Sequence, residues 1–372
     1  ERVRQIQLTT DAMNAPDPYQ LPFNTAQQHA FNSIIEACYN NDRQTSLYFV
    51  DGPGGTGKTY LFNALLDAIR VRQDIAIAVA SSGTASLLLT GGRTAHTAFR
   101  IPIKIRENSM CGFTPRDVSS AMIRDARLII WDEASMISSD VLRCVDRSFR
   151  DLMRIEDPML NDVPFGGKLI VFGGDFRQVL PVVPRGSKAD IINQCINQTE
   201  IWNEVQRLRL TENMRVMQAL TNNNIQLANH LQGFSNFLLS IGNGSANTVN
   251  DGQYAQIPND MILAESTHTE LSRRIYNNFE TAEDISPSVL AGKAVLAATN
   301  DQVYDINQEL LESFHGEPVT FRSIDTITDP NDALTYPVEF LNSVAISSLP
   351  PPILVLKMGV PIMTLRNLSF DN

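Results

Sequence analysis

Two hydrophobic patterns alternate along the first 215 residues. Short apolar runs, typical of buried parallel strands, stand at 47–50, 75–80, 128–131 and 168–172, and residues 207–211 alternate. Between them, apolar residues recur at the three- and four-residue spacing of amphipathic helices, as in 61–69. Because strands alternate with helices, the pattern predicts an α/β fold with a parallel sheet.

Outside this region the pattern is weaker. Residues 1–20 are polar and predict a loose lead-in, and residues 216–260 are rich in Asn and Gln, which predicts a helical connector and a loop. Further on, 294–300 predicts the first strand of a second α/β domain and 305–314 predicts a helix. Three prolines at 350–352 precede two short β-like runs at 353–356 and 361–365.

Composition sets broad limits. The chain has 372 residues, 43% hydrophobic and 19% charged, as expected for a globular protein with a substantial core. No apolar run approaches the roughly 18 residues that span a membrane. Four scattered cysteines favour neither zinc nor disulfides and indicate a reducing compartment. The net charge of −11 argues against a generally basic nucleic-acid surface and leaves a local groove possible.

The clearest motif joins the first apolar run to the first amphipathic helix. It fits G-x-x-x-x-G-K-[ST] at every fixed position. Its residues are Gly52, Pro53, Gly54, Gly55, Thr56, Gly57, Lys58 and Thr59. Glycines let the backbone curl around a phosphate, the helix N-terminus faces the anion, Lys58 reaches the β- and γ-phosphates, and Thr59 holds Mg²⁺. The motif therefore predicts a nucleotide site that binds the β- and γ-phosphates together with Mg²⁺.

Two adjacent carboxylates, Asp132 and Glu133, follow the apolar run at 128–131. Such a pair alone is often a solvated turn. After a buried strand, and downstream of a complete phosphate loop, it has the form of a Walker B strand. Asp132 is then the Mg²⁺ residue and Glu133 polarises the attacking water. Together the two motifs indicate a RecA-like motor domain.

Two later polar residues stand where ligands bind in open α/β sheets, just past strand ends. Gln178 follows the fourth apolar run and is a candidate to position water or sense the γ-phosphate; the alternative is an ordinary loop glutamine. Arg215 follows the fifth run and is a candidate to stabilise the transferring phosphate. The alternative for Arg215 is a surface salt bridge.

Gln27 has two interpretations. Asn24 and Gln27 have the spacing of a helix-capping box. The amide of Gln27 also offers the donor and acceptor that an adenine edge needs. Spacing alone favours the cap.

Small hydroxyl residues and one histidine form two further candidate segments. Ser81, Ser82 and Gly83 end the second strand and either contact a nucleic-acid backbone or cap a helix. Thr94, His96 and Thr97, close to Phe99, suit a single-strand contact by charge and stacking; a plain surface loop is equally compatible.

Seven blocks in fixed order carry a family resemblance. They are Phe49-Val-Asp-Gly-Pro-Gly-Gly-Thr-Gly-Lys-Thr59, Ala80-Ser-Ser-Gly83, Gly91-Gly-Arg-Thr-Ala-His96, Ile130-Trp-Asp-Glu-Ala134, Phe165-Gly-Gly-Lys168, Phe172-Gly-Gly-Asp-Phe-Arg-Gln178 and Leu210-Thr-Glu-Asn-Met-Arg215. The chain resembles the Pif-family DNA helicases, most closely the helicase region of eukaryotic Helitron transposons. Further similar blocks stand at 340–342, 356–359 and 361–368.

The resemblance implies residue roles. It makes Gln27 the adenine-reading glutamine, Lys58 and Glu133 catalytic, and Thr59 and Asp132 the Mg²⁺ residues. It makes Gln178 the γ-phosphate sensor and Arg215 a finger. Residues 81–83 and 94–97 then touch the DNA strand.

The resemblance also implies an organisation. Residues 21–215 form the first RecA-like ATPase domain and 216–315 a connector and the start of a second one. Residues 316–372 begin a small β-barrel insertion. Family members continue into Gln-Gly and Ser-Arg blocks that this sequence lacks, so we expect a C-terminally truncated chain; its first residue, Glu1, likewise suggests a fragment.

By the same resemblance, the protein is an ATP-dependent helicase that moves 5′ to 3′ on single-stranded and forked DNA. It acts as a monomeric motor in the nucleus, in repair, recombination, telomere maintenance or transposition. The alternative is a P-loop ATPase that binds nucleotide and nucleic acid without unwinding.

Overall fold

The computed structural model describes residues 2–40, 47–249, 254–265, 267–276, 290, 292–324 and 351–362. The chain divides into two compact units, Glu1–Ala255 and Gln256–Asn372. Each unit is described by itself.

A six-stranded sheet forms the centre of the first unit. Its strands are β1 (Leu47–Asp51), β2 (Ile75–Ala80), β3 (Arg93–Thr94), β4 (Ala126–Asp132), β5 (Ile170–Gly174) and β6 (Gln206–Arg209). They are ordered β3-β2-β4-β5-β1-β6, and every neighbouring pair is parallel. The carboxyl ends of all six strands therefore lie at one edge. The predicted parallel α/β fold is confirmed.

The first unit also contains α-helices and one short pair of antiparallel strands. The helices are α1 (Arg2–Asn14), α2 (Thr25–Tyr39), α3 (Lys58–Val71), α4 (Gly83–Leu88), α5 (Ala95–Phe99), α6 (Val118–Asp125), α7 (Ser139–Met153), α8 (Lys188–Asn193), α9 (Met214–Thr221) and α10 (Ile225–Gly242). Strands β7 (Thr248–Val249) and β8 (Tyr254–Ala255) pair antiparallel. The unit thus continues through α9 and α10 beyond residue 215.

The core lies on both faces of the sheet. Along β4, Ile129 and Trp131 pack into the cluster on one face, and Leu128 and Ile130 into the cluster on the other. Successive side chains of a strand point to opposite faces, so a sheet covered on both sides needs apolar residues at every position. This requirement explains the continuous apolar runs in the sequence.

The first helix departs from the sequence prediction. Residues 1–20 predict a loose lead-in, but Arg2–Asn14 form α1, which packs on α3. Leu8 and Ala12 are its buried apolar residues, one turn apart on the same face. Two apolar positions are too narrow a stripe to predict a helix from pattern alone.

The second unit holds helices α11 (His268–Ile275) and α12 (Asn300–Ser313) and strands β9 (Pro318–Arg322) and β10 (Ile353–Lys357). The predicted helix at 305–314 and strand at 353–356 are confirmed. The strand predicted at 294–300 is wrong: residues 292–299 carry no strand, and Leu296 is 92% exposed. A strand needs a hydrogen-bonded neighbour, and no described residue supplies one there.

Strands β9 and β10 pair antiparallel. No parallel sheet occurs among the described residues of this unit, and the β-barrel insertion is not confirmed. Of the run predicted at 361–365, Pro361 and Ile362 are outside any strand and residues 363–365 lie outside the described residues.

The structure also gives the hydrophobic length of the helices and the state of the cysteines. No helix in the described part of the chain has the length and apolar character to cross a membrane. All four cysteines are buried, and none forms a disulfide.

Candidate functional site

The phosphate loop lies at the carboxyl end of β1. Gly55 and Gly57 adopt left-handed φ values of 89° and 81°, and α3 begins at Lys58. No side chain caps this helix, so its first N–H groups face the loop, as in an anion site. The Lys58 side chain is 9% exposed and its Nζ donates to the Gly52 carbonyl. The predicted strand–loop–helix arrangement is confirmed.

Gln27 supports this loop from α2. Its Oε1 accepts from the Asn24 N–H at 3.1 Å, and Asn24 Oδ1 accepts from the Gln27 N–H at 2.8 Å. The predicted capping box is therefore confirmed. Gln27 Nε2 donates to the Thr56 carbonyl at 3.0 Å, and the residue is fully buried. In this arrangement both ends of the amide bind protein, and the adenine contact stays a prediction.

Asp132 and Glu133 lie at the carboxyl end of β4. Asp132 is 4% exposed, and its Oδ1 accepts from the Glu133 N–H at 2.8 Å. Burial raises the pKa of Asp132, and the positive charge of Lys58 partly opposes that rise. Burial, then the charge of Asp132, raises the pKa of Glu133. The sheet thus brings the lysine and both carboxylates within electrostatic reach of one another.

Asp175 is a site residue that the sequence prediction did not single out. It is 3% exposed, just past β5, the strand between β4 and β1. Its carboxylate accepts from Arg177 Nη1 at 2.8 Å and from Gln178 Nε2 at 3.1 Å. Its charge also contributes to the raised pKa of Glu133. The sequence signal that could have identified Asp175 is an acidic residue directly after two glycines at the end of a buried strand.

Gln178 and Arg215 approach the site from two different loops. Asp175 orients the exposed Gln178 at the same edge as Asp132 and Glu133. The backbone N–H of Met214 donates to the Gly55 carbonyl at 2.8 Å, which holds the exposed Arg215 beside the phosphate loop. The structure therefore brings both predicted residues to the site, while their roles in hydrolysis stay predictions.

Ser81, Ser82 and Gly83 follow β2 at this same edge. The Ser81 N–H donates to the Asp132 carbonyl at 3.1 Å, and Trp131 Nε1 donates to Ser81 Oγ at 3.2 Å. Ser82 Oγ caps α4 by accepting from the Ala85 N–H. The capping alternative is confirmed for Ser82, Ser81 supports the Walker B strand, and Gly83 is exposed.

Thr94, His96 and Thr97 lie around the start of α5. Thr94 caps this helix and its Oγ1 donates to Thr97 Oγ1 at 2.8 Å. His96 and Thr97 are exposed, and partial desolvation lowers the pKa of His96, so its ring is neutral at pH 7. Because Ala80 pairs with both Thr94 and Asp132, this segment shares the carboxyl edge with the acidic pair. A DNA contact there stays a prediction.

The donor set fits a magnesium ion that arrives with nucleotide. The described residues contain no cluster of three or more His, Cys, Asp or Glu that could cage a metal. Mg²⁺ commonly uses one or two protein oxygens together with substrate phosphates and waters. The buried Asp132 carboxylate and the half-buried Thr59 hydroxyl, in the first turn of α3, are oxygen ligands of that kind.

An all-parallel sheet with a glycine-rich loop, a buried lysine and an acidic pair at one edge defines a RecA-like P-loop ATPase domain. The family model for "PIF1-like helicase" matches residues 22–252, which is more than half of the chain. The chain belongs to this family. A second family model, for "DNA helicase Pif1, 2B domain", matches residues 339–372.

Curated relatives agree with this assignment. The ATP-dependent DNA helicase PIF1 of Candida albicans is 26% identical over 331 residues, which cover 87% of this chain and 31% of the relative. The ATP-dependent DNA helicase Pif1 of Campylobacter jejuni is 27% identical over 288 residues, covering 74% and 53%. The chain thus spans between about a third and a half of these relatives. A particular relation to Helitron transposons stays a prediction.

Solved structures share the fold. The crystal structure of Pif1 helicase from Candida albicans superposes with a TM-score of 0.58 at 22% identity, covering 91% of this chain and 64% of that one. Pif1 helicase from Bacteroides, in complex with ADP-AlF3 and single-stranded DNA, gives 0.54 at 20% identity, covering 82% and 61%. The RecA-like fold predicted for the first domain is confirmed.

Proposed function

We propose that this chain is the ATPase part of an ATP-dependent DNA helicase that moves 5′ to 3′. One observation carries the proposal: in a PIF1-like chain, Lys58, the buried Asp132 and the half-buried Glu133 lie at one edge of a parallel sheet, beside an uncapped helix N-terminus. Such a site binds the phosphates of ATP and stabilises the charge that develops during transfer.

Each side chain has a distinct part in this mechanism. Lys58 contacts the β- and γ-phosphates. Thr59 and Asp132 would hold Mg²⁺, which would supply positive charge against the phosphates. Glu133 polarises the attacking water, and burial raises the pKa of its carboxyl above the ordinary value. Asp175 positions Gln178 toward the γ-phosphate, and Arg215 adds positive charge beside the loop.

The nucleic-acid partner is inferred from the family and from the position of two segments. One solved relative is described as unwinding forked double-stranded DNA through two coordinating Pif1 helicases. In this chain the 81–83 and 94–97 segments lie at the carboxyl edge beside Asp132. We infer that they contact single-stranded DNA, so that strand binding and hydrolysis share one edge of the sheet. By the same reasoning from family, we infer a role in nuclear DNA maintenance or transposition.

The test is steady-state ATP hydrolysis by the 372-residue chain, with and without single-stranded DNA, compared with Glu133→Gln. We expect DNA-stimulated hydrolysis in the wild type. In the variant we expect a drop of about 10²–10³-fold, with ATP still bound, because the carboxylate acts on water rather than on the nucleotide. Asp125→Asn, an exposed acid outside the site, is the matched control.

Strand displacement on partial duplexes that carry a single 5′ or a single 3′ tail separates the two candidate functions. Displacement with a 5′ single-stranded tail, and none with a 3′ tail, supports the helicase. DNA-stimulated hydrolysis without displacement favours the alternative, an ATPase that binds nucleic acid without unwinding. Hydrolysis unchanged by Glu133→Gln contradicts the assignment of the site itself.

A further inference from the structure

Arg177 joins three parts of the first unit beside the nucleotide site. Its Nη1 donates to Asp175 Oδ1 at 2.8 Å and lies 3.6 Å from Asp51 Oδ1. Asp51 ends β1, directly before the phosphate loop, and Asp175 directly follows β5. Arg177 Nε donates to Asn243 Oδ1 at 2.9 Å, and Asn243 directly follows the last turn of α10. One guanidinium therefore connects two strand ends with the end of a helix.

The aliphatic part of Arg177 also lies against α10. A Cβ built at Gly242 would lie 2.9 Å from Arg177 Cβ and 3.4 Å from its Cδ. The absence of a side chain at Gly242 therefore lets the arginine stem approach the helix closely. About a third of the Arg177 side chain, 31%, is exposed. Packing along the stem and hydrogen bonds at Nε and Nη1 together give the guanidinium a defined position.

The Asp175 carboxylate depends on this cation. Its side chain is 4% exposed, and a buried carboxylate that lacks a partner is costly. In the described part of the chain, Arg177 is the one cation within 4.0 Å of it. The Arg177 N–H and Nη1 both donate to Oδ1, at 3.1 and 2.8 Å, whereas Oδ2 accepts from Gln178 Nε2 at 3.1 Å. Arg177 thus occupies one carboxylate oxygen and leaves the other to Gln178.

The hydrogen bond to Asp175 determines which end of the Gln178 amide is free. An ionised carboxylate only accepts hydrogen bonds, whereas an amide has an NH₂ group that donates and an oxygen that accepts. The NH₂ group must therefore face Asp175, and Oε1 faces away from it. In this orientation Oε1 can accept from a water, and the second hydrogen of Nε2 can donate to a phosphate oxygen.

We propose that Arg177 is a positioning residue, which fixes the orientation of the Gln178 amide through Asp175 and is itself held by the end of α10. This role rests on the proposed ATPase function and adds a residue to it. Without the guanidinium, Asp175 loses its cation and no longer holds the amide in one orientation. Recognition of the γ-phosphate should then weaken, while the phosphate loop still binds the rest of the nucleotide.

The alternative for Arg177 is an ordinary stabilising contact, since partly exposed ion pairs commonly contribute little beyond stability. The two roles differ in one measurable quantity, the preference for a nucleotide with a γ-phosphate over ADP. A stabilising contact changes the melting temperature and leaves that preference unchanged. A positioning residue changes the preference itself.

The experiment measures, by calorimetry with Mg²⁺ present, the affinity of the 372-residue chain for ADP and for the β,γ-imido analogue of ATP. The comparison isolates the γ-phosphate and needs no hydrolysis. We expect Arg177→Met to weaken binding of the analogue about tenfold and to leave ADP affinity within about twofold of wild type. Arg154→Met is the matched control, because Arg154 is an exposed arginine that pairs with Asp151 at 2.7 Å outside the site; it should leave both affinities unchanged.

A double-mutant cycle shows whether Arg177 acts through Gln178. Gln178→Ala should weaken binding of the analogue by a similar factor, because it removes the amide that Arg177 is proposed to orient. Adding Arg177→Met to Gln178→Ala should then cause no further loss. Losses that multiply would mean that Arg177 acts independently of the glutamine, which would overturn the proposal.

Asn243→Ala covers the case in which Arg177→Met fails to fold. It removes one exposed acceptor and leaves the arginine in place, so we expect a loss of about two- to fivefold for the analogue and none for ADP. The proposal is also overturned if these variants keep the wild-type preference for the analogue, or if both nucleotides weaken equally. A wild type that binds neither nucleotide contradicts the proposed function as well, whereas normal wild-type binding with either outcome contradicts only the role of Arg177.

Discussion

Helix α3 carries a buried cation at each end, and the two ends are built differently. At the N-terminus, Lys58 is 9% exposed, donates to the Gly52 carbonyl and lies within electrostatic reach of Asp132 and Glu133. In the last turn, Arg70 is 1% exposed and has one carboxylate at 4.0 Å. The first end is the nucleotide site, where the positive charge of Lys58 is balanced by the nearby carboxylates. The second has positive charge that the described protein groups leave largely unpaired.

The two ends also share a feature. Each cation is approached by a glycine in the left-handed region, Gly57 at the N-terminus and Gly91 near Arg70. In both places the missing side chain lets another part of the chain come close: Gln27 at Gly57, and Leu8 of α1 at Gly91. Both ends of α3 therefore need a glycine at which another segment packs against the backbone. The two ends differ in how the charge of the cation is balanced.

The largest effect is expected at Lys58. Replacing it in Lys58→Met removes the charge that contacts the phosphates and should lower ATP hydrolysis by about 10²–10³-fold. Steady-state hydrolysis with saturating DNA is the measurement. Lys188→Met, at an exposed lysine in the first turn of α8, is the control and should stay within about twofold of wild type. If Lys58→Met hydrolysed ATP as fast as Lys188→Met, the N-terminal end of α3 would not be the nucleotide site.

Alanine at each glycine sharpens the comparison. In Gly57→Ala the new Cβ collides with Gln27 Nε2, and in Gly91→Ala it lies 2.7 Å from Leu8 Cδ1. Because both positions have positive φ, we expect each change to lower the free energy of unfolding by about 1–3 kcal/mol in urea titrations. Only Gly57→Ala should also reduce ATP binding, because only Gly57 belongs to the phosphate loop.

Gly233→Ala is the control for this pair. Gly233 is inside α10, has no left-handed φ, and a Cβ there meets nothing within 4 Å. Alanine should therefore raise the free energy of unfolding by roughly 0.5–1 kcal/mol. If Gly57→Ala or Gly91→Ala raised stability as well, the close approaches described here would not be needed.

The smallest effect concerns the charge of Asp132. Since burial raises the pKa of Asp132 in the folded protein, folding loses stability as pH rises from the ordinary carboxyl pKa to the raised one. Asp132→Asn avoids that loss, so it should raise the melting temperature at pH 7.5. The gain should shrink as pH falls toward about 4. A gain that does not vary with pH, or an equal one in Asp125→Asn, would assign it to another cause.

Much of the nucleotide site could be predicted because its signals are local. The loop from Gly52 to Thr59, the capping box of Asn24 and Gln27, and the acidic pair after β4 each occupy a few consecutive residues. Their backbone preferences and apolar flanks are encoded where they stand. The same local logic failed at residues 294–300, where an apolar run has no strand neighbour among the described residues, and at 1–20, where two apolar positions sufficed for a helix.

The sequence by itself determined the five apolar strands of the first unit, the phosphate loop and the identity of the acidic pair. Only the tertiary structure decided which groups meet. The position of β5 between β1 and β4 brings Asp175 and Gln178 to the acidic pair, and the Met214 contact with Gly55 holds Arg215 at the loop. The shortness of β3 and the packing of α1 enclose Arg70. These contacts join residues far apart in the chain, and strand pairing and helix packing set them, which no local pattern encodes.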